Sequence, residues 1–596
     1  MDTVVLLLFL SPFSFFAAPT TASHLFPEEA RPTRSGYLPI GPAAAANTSS
    51  SSASLFFAFY EAQQPISPLP QTPLLIWLQG GPGCSSMLGN LFELGPYLVS
   101  PDSPTLRRNP DSWNHRFGLL FIDNPLGTGF SVTPSPADIP RNQTAVAAHL
   151  IFALRHFLAF GRSFHRRPLY ITGESYAGKY VPSAGYYILS QNARLPPHRR
   201  INLHGVAIGN GLTHPVTQVG THAVSAYFTG LINERQRARL VELQDEAIRL
   251  TLAANWSAAS DARGKALEWL NNATGLATLY DLTKKRPYDS GMVNVFLNKE
   301  EVKAALGVAK EVVWEECSEV VGEALHADVM KSTKFMVEEL VRRSRVLLYQ
   351  GVFDLRDGVV STEAWIKEMK WEGLGSFMKA KREVWELDGE LVGYVQRWGS
   401  LSHVVVYGAG HLVPTDQGKS AQAMIEDWVT EKGLFGGAGQ FNISGVYTSG
   451  WLLRAPVRSV SAEEDLYKGL VGMRVPDVTP STFNVTPSYG ESVGTESWRE
   501  GVAHHAAFMA HDCGSVGPLS DWFHLRCRRG YGSGVGPSDA DMAAKMAWAL
   551  MDWAGPLSAP SFFSLPPPLG RGASWSLPST TGKALVDSQR FKLVLG

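Results

Sequence analysis

The 596-residue chain predicts an α/β fold built on a mostly parallel central sheet with helices on both faces. Two observations carry that expectation. Short apolar, β-prone runs alternate with helix-compatible stretches from Leu55 to about Gly211, and the alternation resumes from Val346 to Glu431. An apolar run that begins at Leu169 also enters Gly173-Glu-Ser-Tyr-Ala-Gly178 and leads straight into a helix-compatible stretch, Lys179 to about Gln191. This is a strand–turn–helix with Ser175 at the turn. Between the two alternating regions, Pro215 to about Met336 is charged and helix-prone with no clear strand, and reads as a helical cap inserted over the sheet edge.

Bulk properties exclude several function classes. Lys+Arg (53) nearly balance Asp+Glu (54) and no basic block stands out, so neither nucleic acid nor an anionic membrane is implied as a partner. The apolar run Val4–Ala18 followed by Pro19-Thr-Thr-Ala22 reads as a signal peptide over residues 1–22, although its first residues carry no Lys or Arg. Pro12 and the shortness of the run argue against a membrane anchor. Acceptor sequons at Asn47, Asn142, Asn255, Asn272, Asn442 and Asn484 fit a glycosylated secretory protein, extracellular or vacuolar. The four cysteines, Cys84, Cys317, Cys513 and Cys527, allow two bridges in an oxidising compartment, and spacing alone does not choose among the connectivities.

In chain order, Ala43–Ala53 is an Ala/Ser/Asn/Thr linker, Leu55–Tyr60 a strand, and Gln64–Pro73 a Pro-rich loop. Leu74–Gln79 is a buried-type strand that runs into Gly80-Gly-Pro-Gly-Cys-Ser-Ser86. That loop has neither the Lys ending of a phosphate-binding P-loop nor the spacing of a dinucleotide fingerprint. It can instead aim backbone N–H groups at an oxyanion. Gly118–Asp123 is the next strand, Asn142–Phe160 a helix, and Leu203–Ile208 a strand ending in Gly209-Asn-Gly211. Val346–Gln350 and His403–Tyr407 complete the sheet, and Thr415–Glu431 is the closing helix. Beyond about Leu434 the composition shifts to Gly, Pro, Ser and isolated aromatics, leaving residues 435–596 as an unassigned extension. One helix is expected there, Asp539–Trp553 with Ser538 as its cap. His504, His505 and His511 lie near Cys513, but their spacing matches no zinc pattern, so no metal and no cofactor is expected.

Three polar residues follow predicted core strands in the order Ser175, Asp354, His411. The order suits a nucleophile, an orienting acid and a general base. Asp357 is the fallback for the acid. Taken singly, each residue has a bland alternative: an incidental serine in a glycine turn, a turn aspartate, a packing histidine. Their shared order and strand-end placement favour the joint reading.

The stretches Trp77–Ser86, Gly173–Gly178 and Gly408-Ala-Gly-His-Leu-Val-Pro414 resemble the serine carboxypeptidase family, over about Leu25 to Leu434, and the plant branch in particular. The resemblance implies an α/β-hydrolase domain over residues 23–434 that releases single C-terminal amino acids from peptides at acidic pH. It implies an oxyanion hole at the N–H groups of Gly81 and Tyr176. It places substrate-carboxylate recognition at Gln79, Gly80, Glu93 and Glu174, and a disulfide between Cys84 and Cys317. Gln79 stands where the family usually has Asn, and Val352 where its acid motif usually has a first Asp. An acyltransferase working through the same acyl-enzyme on sugar esters, or a catalytically silent binding protein, are the competing readings. The expected partner is a peptide substrate, and the expected state a monomer or homodimer.

Overall fold

The computed structural model describes residues 25–40 and 53–436. The expected leader, Asn47, Asn442, Asn484, Cys513, Cys527, the three clustered histidines and the helix Asp539–Trp553 lie outside the described residues.

Strands β1 (Arg34–Pro39), β2 (Ser54–Tyr60), β3 (Leu74–Leu78), β6 (Gly118–Ile122), β7 (Leu169–Glu174), β8 (Leu203–Gly209), β9 (Arg345–Gly351), β10 (Arg382–Leu387), β11 (Glu390–Trp398) and β12 (Leu401–Val406) form one ten-stranded sheet. A small hairpin of β4 (Tyr97–Val99) and β5 (Leu106–Arg108) stands apart from it. Across the main sheet the order is β1-β2-β6-β3-β7-β8-β9-β12-β11-β10. Its centre, from β6 to β12, is parallel, and both margins are antiparallel.

The parallel strands are buried on both faces, which is why they read as continuous apolar runs rather than as alternating ones. Leu74, Ile76 and Leu78 of β3 pack with Phe57, Ile171 and the helices Gln143–Leu158 and Ala177–Asn192 on one side. Leu75 and Trp77 point to the other face, with Phe121, Tyr349 and the helix Gly418–Thr430. Each such large side chain contributes about 2–3 kcal/mol relative to an exposed one. The expected closing helix is two pieces, Val413–Asp416 and Gly418–Thr430. The hairpin β10–β11 was not expected: its burial pattern is only half apolar, because one of its faces meets solvent.

Between Pro215 and Val341 the described chain is helical, without a strand of the sheet. Two long helices, Glu234–Leu252 and Trp256–Thr274, pack as a hairpin around Leu240, Leu267 and Leu270. Asn233 opens the first with a reciprocal cap to Gln236. The insertion is tied back to the sheet by a disulfide between Cys84 and Cys317, 233 residues apart in the chain. That pairing is the one the family resemblance implied.

Candidate active site

Parallel strands all point their carboxyl ends the same way, so the loops after β3, β7, β8, β9 and β12 gather at one edge of the sheet. The turn after β7 carries Ser175 at φ 61°, a left-handed conformation that a serine adopts only under constraint. Two contacts impose it: Ser175 N–H donates to Gly209 O at 3.0 Å, and Leu212 N–H to Ser175 O at 2.9 Å. The loop after β3 comes so close to the turn that a Cβ on Gly80 would stand 2.6 Å from Tyr176 N. Only glycine fits there.

The loops after β9 and β12 bring Asp354 and His411 together. His411 Nδ1 donates to Asp354 Oδ2 at 2.7 Å, and both side chains are buried. Asp354 Oδ2 also accepts from Asn210 Nδ2 at 2.7 Å, and Oδ1 from the Arg356 N–H at 2.7 Å. Burial alone would push this carboxyl up, but the charge and hydrogen bond of His411, with those donors, hold it below the ordinary aspartate value. His411 Nε2 is buried without a partner among the described residues, and no hydrogen bond joins it to Ser175 Oγ. Asp357, the fallback acid, instead accepts from Gln218 Nε2 at 3.3 Å and stands 3.5 Å from Arg263.

The N–H groups of Gly80, Gly81 and Tyr176 donate to no backbone or side-chain acceptor among the described residues. Beside them lies a buried acid pair. Gln79 Nε2 donates to Glu93 Oε1 at 3.0 Å and to Glu174 Oε1 at 2.8 Å, while Gln79 Oε1 accepts from Trp77 Nε1 at 2.8 Å. Burial pushes Glu93 up to about 8, and burial together with the neighbouring Glu93 raises Glu174 well above the ordinary glutamate value. Both second carboxyl oxygens are buried without a partner among the described residues. The Gln79 amide, expected to meet substrate, is fully occupied in holding the two acids.

The profile of the family described as "Serine carboxypeptidase" matches residues 26–431. The chain is 56% identical over 414 residues to "Serine carboxypeptidase-like 50" of Arabidopsis thaliana, covering 69% of this chain and 91% of that protein. It belongs to the serine carboxypeptidase family. "Probable serine carboxypeptidase CPVL" of Homo sapiens is 35% identical over 393 residues, 64% of this chain and 80% of that one. Among solved structures, "KEX1(DELTA)P, a prohormone-processing carboxypeptidase from Saccharomyces cerevisiae" superposes with a TM-score of 0.61 at 27% identity. That match covers 67% of this chain and 91% of the other. The fold is that of the α/β-hydrolases, and the enzyme class that of a serine-type carboxypeptidase, a hydrolase.

This family member surrounds its histidine with residues that the sequence did not single out. Tyr280, from the insertion, accepts the His411 N–H on its carbonyl at 2.7 Å and lays its ring against the imidazole, centroids 4.5 Å apart. Arg356 Nη1 donates to the Tyr280 hydroxyl at 3.0 Å. Asp416 Oδ2 accepts from the Gly410 N–H at 2.9 Å and from the Tyr288 hydroxyl at 2.6 Å, pinning the histidine loop. Only Asn210 had a legible signal, an asparagine between two glycines at a strand end; its φ is 42°. Tyr280 and Asp416 had none, because their partners are distant in the chain.

Proposed function

We propose that the chain removes single C-terminal amino acids from peptides at acidic pH, through an acyl-enzyme on Ser175. Ser175 Oγ attacks the carbonyl of the last peptide bond. His411 Nε2 takes the serine proton and passes it to the leaving amine. Asp354 keeps the proton of the other ring nitrogen on Nδ1 and stabilises the imidazolium that forms. The N–H groups of Gly81 and Tyr176 receive the oxyanion. Water, activated by His411, then releases the acyl group.

The observation that carries the reading is the acid pair. An enzyme that acts only on the last residue must hold a free α-carboxylate, and a carboxylate is held by donors. Two buried acids side by side resist double ionisation, so one keeps its proton and can donate it to the substrate's carboxylate. Glu93 and Glu174 play this part beside the Gly80 N–H, with Gln79 as the amide that sets their geometry. Secretion into an oxidising compartment, extracellular or vacuolar, belongs to the same proposal, and the bridge Cys84–Cys317 supports it. Asn142, Asn255 and Asn272 are exposed, as glycan acceptors must be.

The test is KM against pH for a blocked dipeptide and its C-terminal amide. The acid pair is protonated below its raised range and loses its proton as the pH climbs toward about 8. KM for the free acid therefore rises steeply through neutral pH, while KM for the amide stays nearly flat. Glu174→Gln flattens the free-acid profile, because an amide donates at every pH. Equal profiles for acid and amide would remove the carboxylate trap and move the reading to acyl transfer from esters.

A further inference from the structure

The side chain of Tyr176 leaves the catalytic turn and enters a buried polar knot unrelated to the proton transfers of the triad. Its hydroxyl donates to Asp328 Oδ2 at 3.0 Å and lies 3.3 Å from Gln143 Nε2. Gln143 Nε2 donates to the same Asp328 oxygen at 2.7 Å. Lys331 Nζ stands 3.6 Å from Asp328 Oδ1. Tyr176, Asp328 and Gln143 are 2%, 2% and 3% exposed, so these contacts are shielded from water. The Tyr176 ring meets Tyr180 edge-on at 5.1 Å, which leaves the side chain little freedom to turn.

Asp328 belongs to the helical insertion, at the end of the short helix His326–Asp328. Eleven residues earlier the same segment carries Cys317, bonded to Cys84 in the Gly80–Ser86 loop. One stretch of the insertion therefore grips both sides of the proposed oxyanion hole. It holds the Gly81 side by a covalent bond and the Tyr176 side by a buried carboxylate.

We propose that Asp328 is a positioning residue for the oxyanion hole: by anchoring the Tyr176 phenol it fixes the direction of the Tyr176 backbone N–H. The reason lies in the backbone. The peptide that carries the Tyr176 N–H is held at its carbonyl end, where Ser175 O accepts from the Leu212 and Gly178 N–H groups at 2.9 Å each, and it joins a strained residue to the helix Ala177–Asn192. An oxyanion donor works only when it is aimed before the charge develops, since aiming it afterwards costs the reorganisation that catalysis avoids. A phenol locked through two hydrogen bonds adds the restraint from the side-chain end, so that the plane cannot rock about its carbonyl.

The inference rests on the oxyanion assignment made above, and it is tested in the full-length enzyme with Tyr176→Phe, Asp328→Asn and the double variant. Asp328→Asn keeps shape and one acceptor, so it leaves no cavity and no orphaned donors, unlike Asp328→Ala. Loss of a whole oxyanion donor lowers turnover about 100- to 1000-fold, and a misaimed one costs part of that. Tyr176→Phe is expected to lower kcat about 10- to 100-fold with KM within twofold. A peptide aldehyde, whose adduct on Ser175 carries the oxyanion, binds more weakly by the same factor. Inhibition by the released amino acid, which never meets the hole, stays unchanged. The double variant is no worse than the poorer single one, because both changes act on the same link: Tyr176→Phe cuts it, and Asp328→Asn trades its charged acceptor for a weaker neutral one. Losses in KM that depend on the penultimate residue would make Asp328 a substrate contact and overturn the inference. So would an unchanged aldehyde affinity, or additive losses that track thermal stability. An active Ser175→Ala enzyme would instead defeat the parent reading.

Discussion

Ser175 sits at φ 61°, where a side chain costs about 1 kcal/mol that glycine does not incur. Two outcomes follow at this one position. Ser175→Ala lowers turnover about a million-fold without unfolding the chain, since the nucleophile and its base act as a unit. Ser175→Gly is equally inactive but melts at a higher temperature than Ser175→Ala, which a thermal melt of the two proteins checks. The acids divide as sharply. Asp354→Asn removes the partner that holds His411 in its tautomer and costs about 10,000-fold in kcat. Asp357→Asn keeps most turnover, because Asp357 faces Arg263 and Gln218, but it loses about 1–3 kcal/mol of stability by leaving a buried guanidinium short of its counter-charge. Comparable kcat values for wild type and Asp354→Asn would reassign the acid.

Among the elements, the loop after β3 does the most with the fewest residues. It supplies Gly80 and Gly81, it is closed onto the insertion by Cys84, and Ser85 Oγ donates to the buried Asp123 Oδ1 at 2.6 Å. A bridge spanning 233 residues removes so much freedom from the unfolded chain that it contributes about 5 kcal/mol in the chain-entropy view. Cys317→Ser is therefore expected to fold less stably and to lose kcat more than KM, since the loop that aims Gly81 is freed while the acid pair stays in place. Peptide mapping without reduction should recover Cys84 joined to Cys317. A link from Cys84 to Cys513 or Cys527 would refute that connectivity. Gly80→Ala is expected to abolish activity, because its Cβ would enter the space of Tyr176 N.

For the molecule as a whole, buried titratable groups set a stability optimum on the acid side of neutral. His222 and His403 are buried neutral, with burial pressing each down to about 3. The unfolded chain takes up their protons below about 6.5, so stability falls as the pH drops from there toward 3. Glu93, raised to about 8, and Asp123, raised to about 6 by burial, act in the opposite sense. Their protons leave the unfolded chain near 4 but stay on the folded one, so stability falls as the pH climbs from there through 6 and 8. The melting temperature should peak near pH 5–6. Glu174→Gln should lose less of it between pH 6 and 8, because one of the two facing acids no longer ionises. A maximum above pH 7.5 in wild type would contradict the buried acid pair.

The sequence by itself determined the parallel heart of the sheet and the three chemical positions at its edge. Strands buried on both faces must be continuously apolar, and a strand that ends in glycine and a polar residue announces a turn at the sheet's carboxyl edge. The strands that begin at Leu74 and Leu169, with Ser175, Asp354 and His411, were all legible for that local reason. The tertiary structure alone decided which aspartate meets His411, that Gln79 is occupied by Glu93 and Glu174 and Trp77, and that Tyr280 and Asp328 support the site. These contacts join residues from 2 to 152 positions apart in the chain, and those of Tyr280 and Asp328 cross from the insertion to the sheet. A hydrogen bond of that kind depends on where two loops arrive in space, and no pattern along the chain encodes an arrival that the packing of the whole molecule sets.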